Sequence, residues 1–182
     1  MTTISDPIAV RRLAPENQDE FLAAVRASRD LHRPWLELPE TPERFEALLA
    51  RFERDDHESF LIRHAVCGRL AGFVNVNNIV RGAFQSAYLG YGAFAGHEGR
   101  GLMCAGLRAV IATAFGELGL HRLEANIQPG NTKSIALACR LGFEKEGYSP
   151  RYLFIGGDWR DHERWALRNE MGSKPGPARN TP

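Results

Sequence analysis

The stretch Tyr88–Leu102, YLGYGAFAGHEGRGL, limits the possible folds of this chain more than any other. An apolar run stops, a turn carrying Gly96, Gly99 and Gly101 follows, and a helical pattern opens that continues to Leu118. A turn without Cβ atoms lets main-chain N–H groups approach a ligand closely, and a helix N-terminus adds about half a positive charge. Together they describe a cradle for an anion, with phosphate the leading candidate. An ordinary Gly-rich connection that binds nothing has the same spacing, so spacing alone leaves both readings open.

The common phosphate fingerprints do not fit. A mononucleotide loop needs Lys followed by Ser or Thr, where this chain has Arg100-Gly101-Leu102, and Gly96, Gly99 and Gly101 do not have the dinucleotide spacing. What remains is the loop that holds the diphosphate of an acyl-CoA: Gln or Arg, two residues, Gly, one residue, then Gly or Ala. Gly99-Arg100-Gly101 supplies its end, while Gly96 stands at the position of the basic residue. The main-chain amides then carry the contact, with Arg100 in support.

The rest of the chain reads as one domain over residues 1–170 and a polar, disordered tail over 171–182. At 182 residues it is long enough to bury about 70% of its extended surface. Ile8–Leu13 alternates as a half-buried strand, Pro15 opens a helix to about Ser28, and Asp30–Glu40 is a loop. Thr41-Pro42-Glu43 opens a second helix to about Arg54. Ser59–Ala65 and Leu70–Asn77 form a hairpin, Asn77–Ala83 a turn, and Gln85–Tyr91 the strand that enters the glycine loop. After the long helix Gly101–Leu118, stopped by Gly119, come a strand at Arg122–Gln128 and a short helix at Thr132–Leu141, capped by Asn131. Two final strands, Phe143–Ile155 and Arg160–Leu167, turn across Gly156-Gly157-Asp158. The order is ββαβαββ after a β-αα unit: an α+β (mixed α/β) fold with about four helices packed on a mixed sheet of about seven strands.

A net charge of +1 supplies no field that would draw nucleic acid to the whole molecule. No apolar run reaches 18 residues and the start lacks the parts of a signal peptide, so no membrane association and a cytoplasmic location are expected. Cys67, Cys104 and Cys139 are odd in number and without CxxC spacing, which points to reduced, partly buried thiols. The six histidines form no pair at ligand spacing, so no metal is expected.

Several ordered motifs carry a resemblance. VRGAFQSAYLGY and HEGRGLM within Ile79–Met103, ANIQPGNTKS, RLGFEKEGY and YLFIGGDWRDH downstream, and RPW at Arg33–Trp35 are similar to the GNAT N-acetyltransferase superfamily, within it to the RimJ-type ribosomal-protein-alanine N-acetyltransferases. The resemblance covers roughly residues 6–168 and is strongest from Ile79 onward. It implies a mostly antiparallel sheet with one splayed pair of strands, the splay arising from a bulge that Gly90 and Gly92 permit.

The resemblance also implies a site. The co-substrate is acetyl-CoA: His97, Glu98, Gly99, Arg100, Gly101 and Leu102 hold the diphosphate, and the main chain of Tyr91, Gly92, Ala93 and Phe94 pairs with the pantetheine arm. An exposed N–H near Gly92–Phe94 meets the oxyanion. Asn131 caps its helix and also lies beside the arm. The Glu base of RimI-type relatives matches Asn126 here and their Tyr acid matches Ala138, so both are missing. The Ser acid of RimL-type enzymes matches Ser134, while their Glu matches Leu153. Ser134 is left as the acid, with Asn126, or a main-chain carbonyl, holding a water that relays the proton.

A weak base suits an α-amine. With a reference pKa near 7.8, about one α-amine in seven is neutral at pH 7, against about one lysine in 2,500. The expected acceptor is therefore a protein N-terminus, a ribosomal protein being a candidate, with a small amine as alternative and a non-catalytic CoA-binding module as a third reading. Trp35, Tyr152 and Trp159 are the aromatic candidates for the acceptor cleft, with Arg33, Arg160, Asp161, His162 and Glu163 as its charged rim. A monomer or homodimer is expected.

Overall fold

Alternating apolar residues draw the middle of the chain into strands, because one set of alternate side chains finds a core on each face. The structure, a computed structural model, describes residues 7–170, so the predicted tail over 171–182 lies outside the described residues. Seven strands form one sheet: β1 (Ile8–Arg12), β2 (Glu58–His64), β3 (Leu70–Val80), β4 (Ser86–Ala93), β5 (Arg122–Ile127), β6 (Glu144–Ile155) and β7 (Asp158–Arg168), in the order β1-β2-β3-β4-β5-β7-β6. Every pairing is antiparallel except β4 with β5.

Two apolar layers clamp this sheet. On one face Val74, Val76, Leu89, Leu123 and Ala125 pack under α4 (Leu102–Phe115) and α5 (Thr132–Arg140). On the other, Leu61, Leu70 and Phe73 pack under α1 (Gln18–Ala27) and α3 (Pro42–Phe52). Local chemistry sets the helix starts. Thr41 accepts from the Arg44 amide at 3.4 Å with Pro42 at the first helical position, and Asn131 accepts from the Ser134 amide at 3.1 Å.

The splayed pair is present. β4 and β5 pair only over Ser86–Tyr88 with Arg122–Glu124, although β4 runs on to Ala93 and β5 to Ile127. The expected bulge at Gly90 and Gly92 is not. The β3–β4 ladder is regular from Gly72 to Asn77, and its register shift lies between Asn77 and Val80, where Asn78 has φ 51. Gly92 serves another need, since a Cβ there would sit 2.8 Å from the Phe73 ring.

Three boundaries also differ from the sequence reading. The 30–40 loop begins inside a short helix, α2 (Arg29–His32), whose last residue docks on β4 and which makes five α-helices among the described residues. The turn at Asn77–Ala83 starts late, because β3 continues to Val80 with Ile79 packed in the core. The long helix ends at Phe115, not Leu118, with Gly116 as its cap. Of the three thiols only Cys104 is buried; Cys67 and Cys139 are exposed.

Close packing of α4 on β2 makes one substitution informative. A Cβ at Gly106 would lie 2.1 Å from Ile62 Cδ1, and Ile62 is fully buried. Gly106→Ala gains about 1 kcal/mol of helix propensity, but overpacking costs about 1–3 kcal/mol. Urea unfolding is expected to give a net loss of stability; a gain would mean that the helix–sheet spacing is slack.

Candidate functional site

The parted strands leave a row of main-chain groups without a neighbouring strand. The Phe94 amide donates to the Ala71 carbonyl at 2.8 Å. Hydrogen-bonded residues alternate along an antiparallel ladder, so Gly90, Gly92 and Phe94 turn to β3 while Tyr91 and Ala93 turn to the gap. This corrects the expectation for Gly92 and Phe94: their main-chain groups are spent on β3, and the donors facing the gap are the amides of Tyr91 and Ala93. The Ala93 carbonyl is occupied too, by His32 Nε2 at 2.8 Å. A carbonyl partner fixes the proton on Nε2. Burial beside the Phe73 and Phe94 rings, with centroids at 6.3 and 6.0 Å, pushes the His32 pKa down and keeps the ring neutral. Ser28 completes this latch, accepting from the Ala95 amide at 2.9 Å and donating to the Ala24 carbonyl at 2.6 Å.

Beyond Phe94 the chain forms the anion cradle. Gly96, Gly99 and Gly101 have φ of 84, 73 and 80, and no heavy atom stands within 4 Å of a Cβ position at Gly96 or Gly99. Backbone conformation, not crowding, therefore calls for glycine there. Gly101 caps α4 without a side-chain bond, so among the described residues no cap partner is found for the first-turn amides of Leu102, Met103 and Cys104, which have no intrahelical acceptor. Arg100 lies 3.3 Å from His64 Nε2. Burial, then the charges of Arg100, His64 and Arg69, push the His97 pKa down, and His97 Nδ1 is buried without a partner. His64 and Arg69 were not legible in the sequence, because a distant hairpin delivers them. Glu98 is exposed at the loop tip.

On the α5 side of the gap, Tyr91 Oη and Ser134 Oγ are 2.8 Å apart. Ser134 thus uses its hydroxyl across the gap, while Asn131 satisfies its amide. Burial pushes the Tyr91 pKa up.

The opposite sheet face is polar near the vertex, where β4 and β5 part. Tyr88 and Glu124 are the last paired residues. Burial, then the charge of Glu124 and the nearby Tyr152 phenol, push the Tyr88 pKa up. Glu124 accepts from Arg122 Nε at 2.8 Å. Asn126 follows on the same face, its Oδ1 buried and without a partner. Glu124 thus stands one strand repeat from Asn126, so the face that lacks a carboxylate at position 126 carries one at position 124.

Trp35 and Trp159 meet in a cleft of about 340 Å³, together with Gln128, Pro129, Gly130, Tyr148, Arg160 and Asp161. Gln128 Nε2 holds the Trp35 carbonyl at 3.2 Å, fixing that loop to the end of β5. Tyr152 does not line this cleft; its ring packs 5.9 Å from His162. Two rim residues are also elsewhere: His162 is buried, and Glu163 turns to the far face, bonding Lys145 and accepting from Trp165 Nε1 at 3.1 Å.

A seven-stranded sheet parted between two parallel strands, with an uncapped helix start over the opening, is the frame of an α+β acyltransferase-type protein. The chain belongs to the acetyltransferase (GNAT) domain family, whose pattern it matches over residues 8–144. It is 40% identical over 119 residues to a probable N-acetyltransferase of Bacillus subtilis, covering 65% of this chain and 66% of the relative. It is 46% identical over 98 residues to the ribosomal protein uS5-alanine N-acetyltransferase of Escherichia coli, covering 54% and 50%. The chain thus spans from half to about two thirds of these relatives. A Mycobacterium smegmatis RimJ in complex with CoA-disulfide superposes with a TM-score of 0.82 at 26% identity, covering 92% of this chain and 85% of that one.

The buried histidines make stability depend on pH. Burial holds His32, His97 and His162 below the usual value near 6.5, so below pH 6.5 the unfolded chain binds protons that the native protein refuses. Their contribution is full above pH 6.5 and is lost as pH falls toward the native values. Melting curves from pH 7 to pH 5 should move to lower temperature, and His32→Gln should flatten that dependence; an equally steep fall in the variant would remove His32 from the account.

Proposed function

We propose that this protein transfers an acetyl group from acetyl-CoA to a primary amine by direct attack, with the N-terminal α-amine of a protein as acceptor and a ribosomal protein as a candidate. The observation that carries this reading is the gap between β4 and β5, edged by the Tyr91 and Ala93 main chain and headed by the uncapped start of α4. An acyl-CoA fits those groups. The open glycine loop, from His97 through Leu102, and the α4 amides suit a diphosphate, with Arg100 and Arg69 adding positive charge. The Tyr91 and Ala93 main chain suits an amide-bearing arm, and Asn131 stands beside it.

For the chemistry, Ser134 is the hydroxyl that meets the departing sulfur. Asn126, with an acceptor oxygen awaiting a donor, takes an N–H of the amine or of a relaying water. Glu124, about 6–7 Å along the same face, ends that relay. Trp35 and Trp159 flank the approach of the acceptor, and Tyr152 supports the vertex through Tyr88. No helix among the described residues is long and apolar enough to cross a membrane. The proposed setting is the cytoplasm, as a monomer or homodimer.

Kinetics on matched peptides test the acceptor. N-terminal amines should be acetylated faster than internal lysines and faster than a panel of small amines; a preference for lysine or for small amines would overturn the acceptor assignment. Trp35→Ala should raise the acceptor KM more than the acetyl-CoA KM. Arg100→Glu combined with Arg69→Glu should raise the acetyl-CoA KM about 10–100-fold, the loss expected for charge-assisted contacts, without the same change for the acceptor.

A further inference from the structure

The bond between Tyr91 and Ser134 spans 43 residues of sequence and crosses from β4 to the first turn of α5. Two observations show which hydroxyl donates. The Ser134 amide is already bound by Asn131 Oδ1 at 3.1 Å, so the serine hydroxyl is not drawn into capping. Tyr91 is half-buried with its phenol desolvated, and Ser134 is the partner its phenol reaches. A buried O–H left without an acceptor is costly, and a tyrosine in a place that needed only bulk could be phenylalanine. The phenol is therefore assigned as the donor to Ser134 Oγ, a direction the 2.8 Å contact itself leaves open. A hydroxyl that accepts at its oxygen keeps its own proton for another partner. Across from the phenol, Ala138 lies one turn beyond Ser134 on the same face of α5 and is 1% exposed, so only a methyl group backs this position.

We infer that Tyr91 is a positioning residue, whose phenol, donating to Ser134 Oγ across the parted strands, aims the Ser134 proton into the gap at the sulfur of the departing thiolate. This inference rests on the acetyl-transfer reading of the same gap. In the step it serves, the amine nitrogen forms the new bond to the acetyl carbon and the C–S bond breaks, its electron pair staying on sulfur. The Ser134 O–H hydrogen-bonds that sulfur, and the proton lost by the amine on the Asn126 side balances the one that sulfur finally takes from solvent. Tyr91 keeps its proton throughout, which the upward push of burial on its pKa favours.

Steady-state kinetics of Tyr91→Phe, Ser134→Ala, Ser134→Thr and the double variant Tyr91→Phe/Ser134→Ala test this. Tyr91→Phe keeps the ring, and a melting temperature close to wild type checks the fold. The expected result is a fall in kcat of about tenfold or more with the acetyl-CoA KM within about threefold, a similar fall for Ser134→Ala, and no further fall in the double variant. Ser134→Thr, which keeps the hydroxyl, should remain active beside Tyr91 and lose that activity when Tyr91→Phe is added. Independent, multiplying losses, an unchanged kcat in Tyr91→Phe, or a raised acetyl-CoA KM as the only effect would each overturn the inference. If wild type binds acetyl-CoA in calorimetry yet acetylates no amine, the transfer reading fails first, and this role falls with it because no thiolate is formed.

Discussion

The early end of one strand ladder is the constraint on which the site depends. After Tyr88 and Glu124 the two parallel strands separate, although each remains fully engaged on its other side. Beyond the vertex β3 holds β4 in unbroken register from Tyr88 to Ala93, and β7 holds β5 to Ile127. Neither strand can move to close the gap without giving up an existing ladder. The two apolar layers reinforce this, because α1 and α3 grip β2 and β3 on one face while α4 and α5 pin the other. The opening is thus bounded by two rigid half-sheets, and polar main chain is held ready at its rim.

Small polar contacts finish what the ladders begin. His32 and Ser28 fasten the end of β4 to the α1–α2 corner, and Tyr91 with Ser134 ties β4 to α5 across the gap. These bonds involve buried groups, for which a missing partner costs about 1–3 kcal/mol, more than a made bond returns. They therefore specify position more than they add stability. Of the three unmatched buried side-chain atoms among the described residues, Asn126 Oδ1 lies on the acceptor face and His97 Nδ1 in the anion loop, while His57 Nε2 lies just before β2. Positive charge gathers at the helix start and aromatic surface gathers near the end of β5, so the two ends of the gap differ in chemistry.

Much of the fold was legible because its signals are local. The apolar runs of β2 and β3 either side of Gly68, the Thr41 and Asn131 caps, and the glycines at 96, 99 and 101 each act within a few residues. The seven strands and the parted pair follow the expectation. The failures are equally physical. α2 is a single turn whose last residue, His32, is held by β4, and nothing nearby in sequence announces it. The resemblance implied that Gly92 and Phe94 face the gap, but which strand face bonds which neighbour is set by the register with β3. Tyr152 and His162 looked like cleft residues because they lie on an aromatic, charged hairpin, whereas their rings pack on each other, Tyr152 beside Tyr88 and His162 in the interior.

By itself, the sequence determined the strand–glycine–helix unit, the capped helices and the chemical inventory, since each depends on backbone preferences and spacing that a short segment carries. Only the tertiary structure decided that Arg69 and His64 join Arg100, that Tyr91 meets Ser134, and that Glu124 stands at the vertex beside Tyr88. Those meetings join residues far apart along the chain, and their geometry is fixed by strand register and by packing on two faces at once. No local preference encodes either.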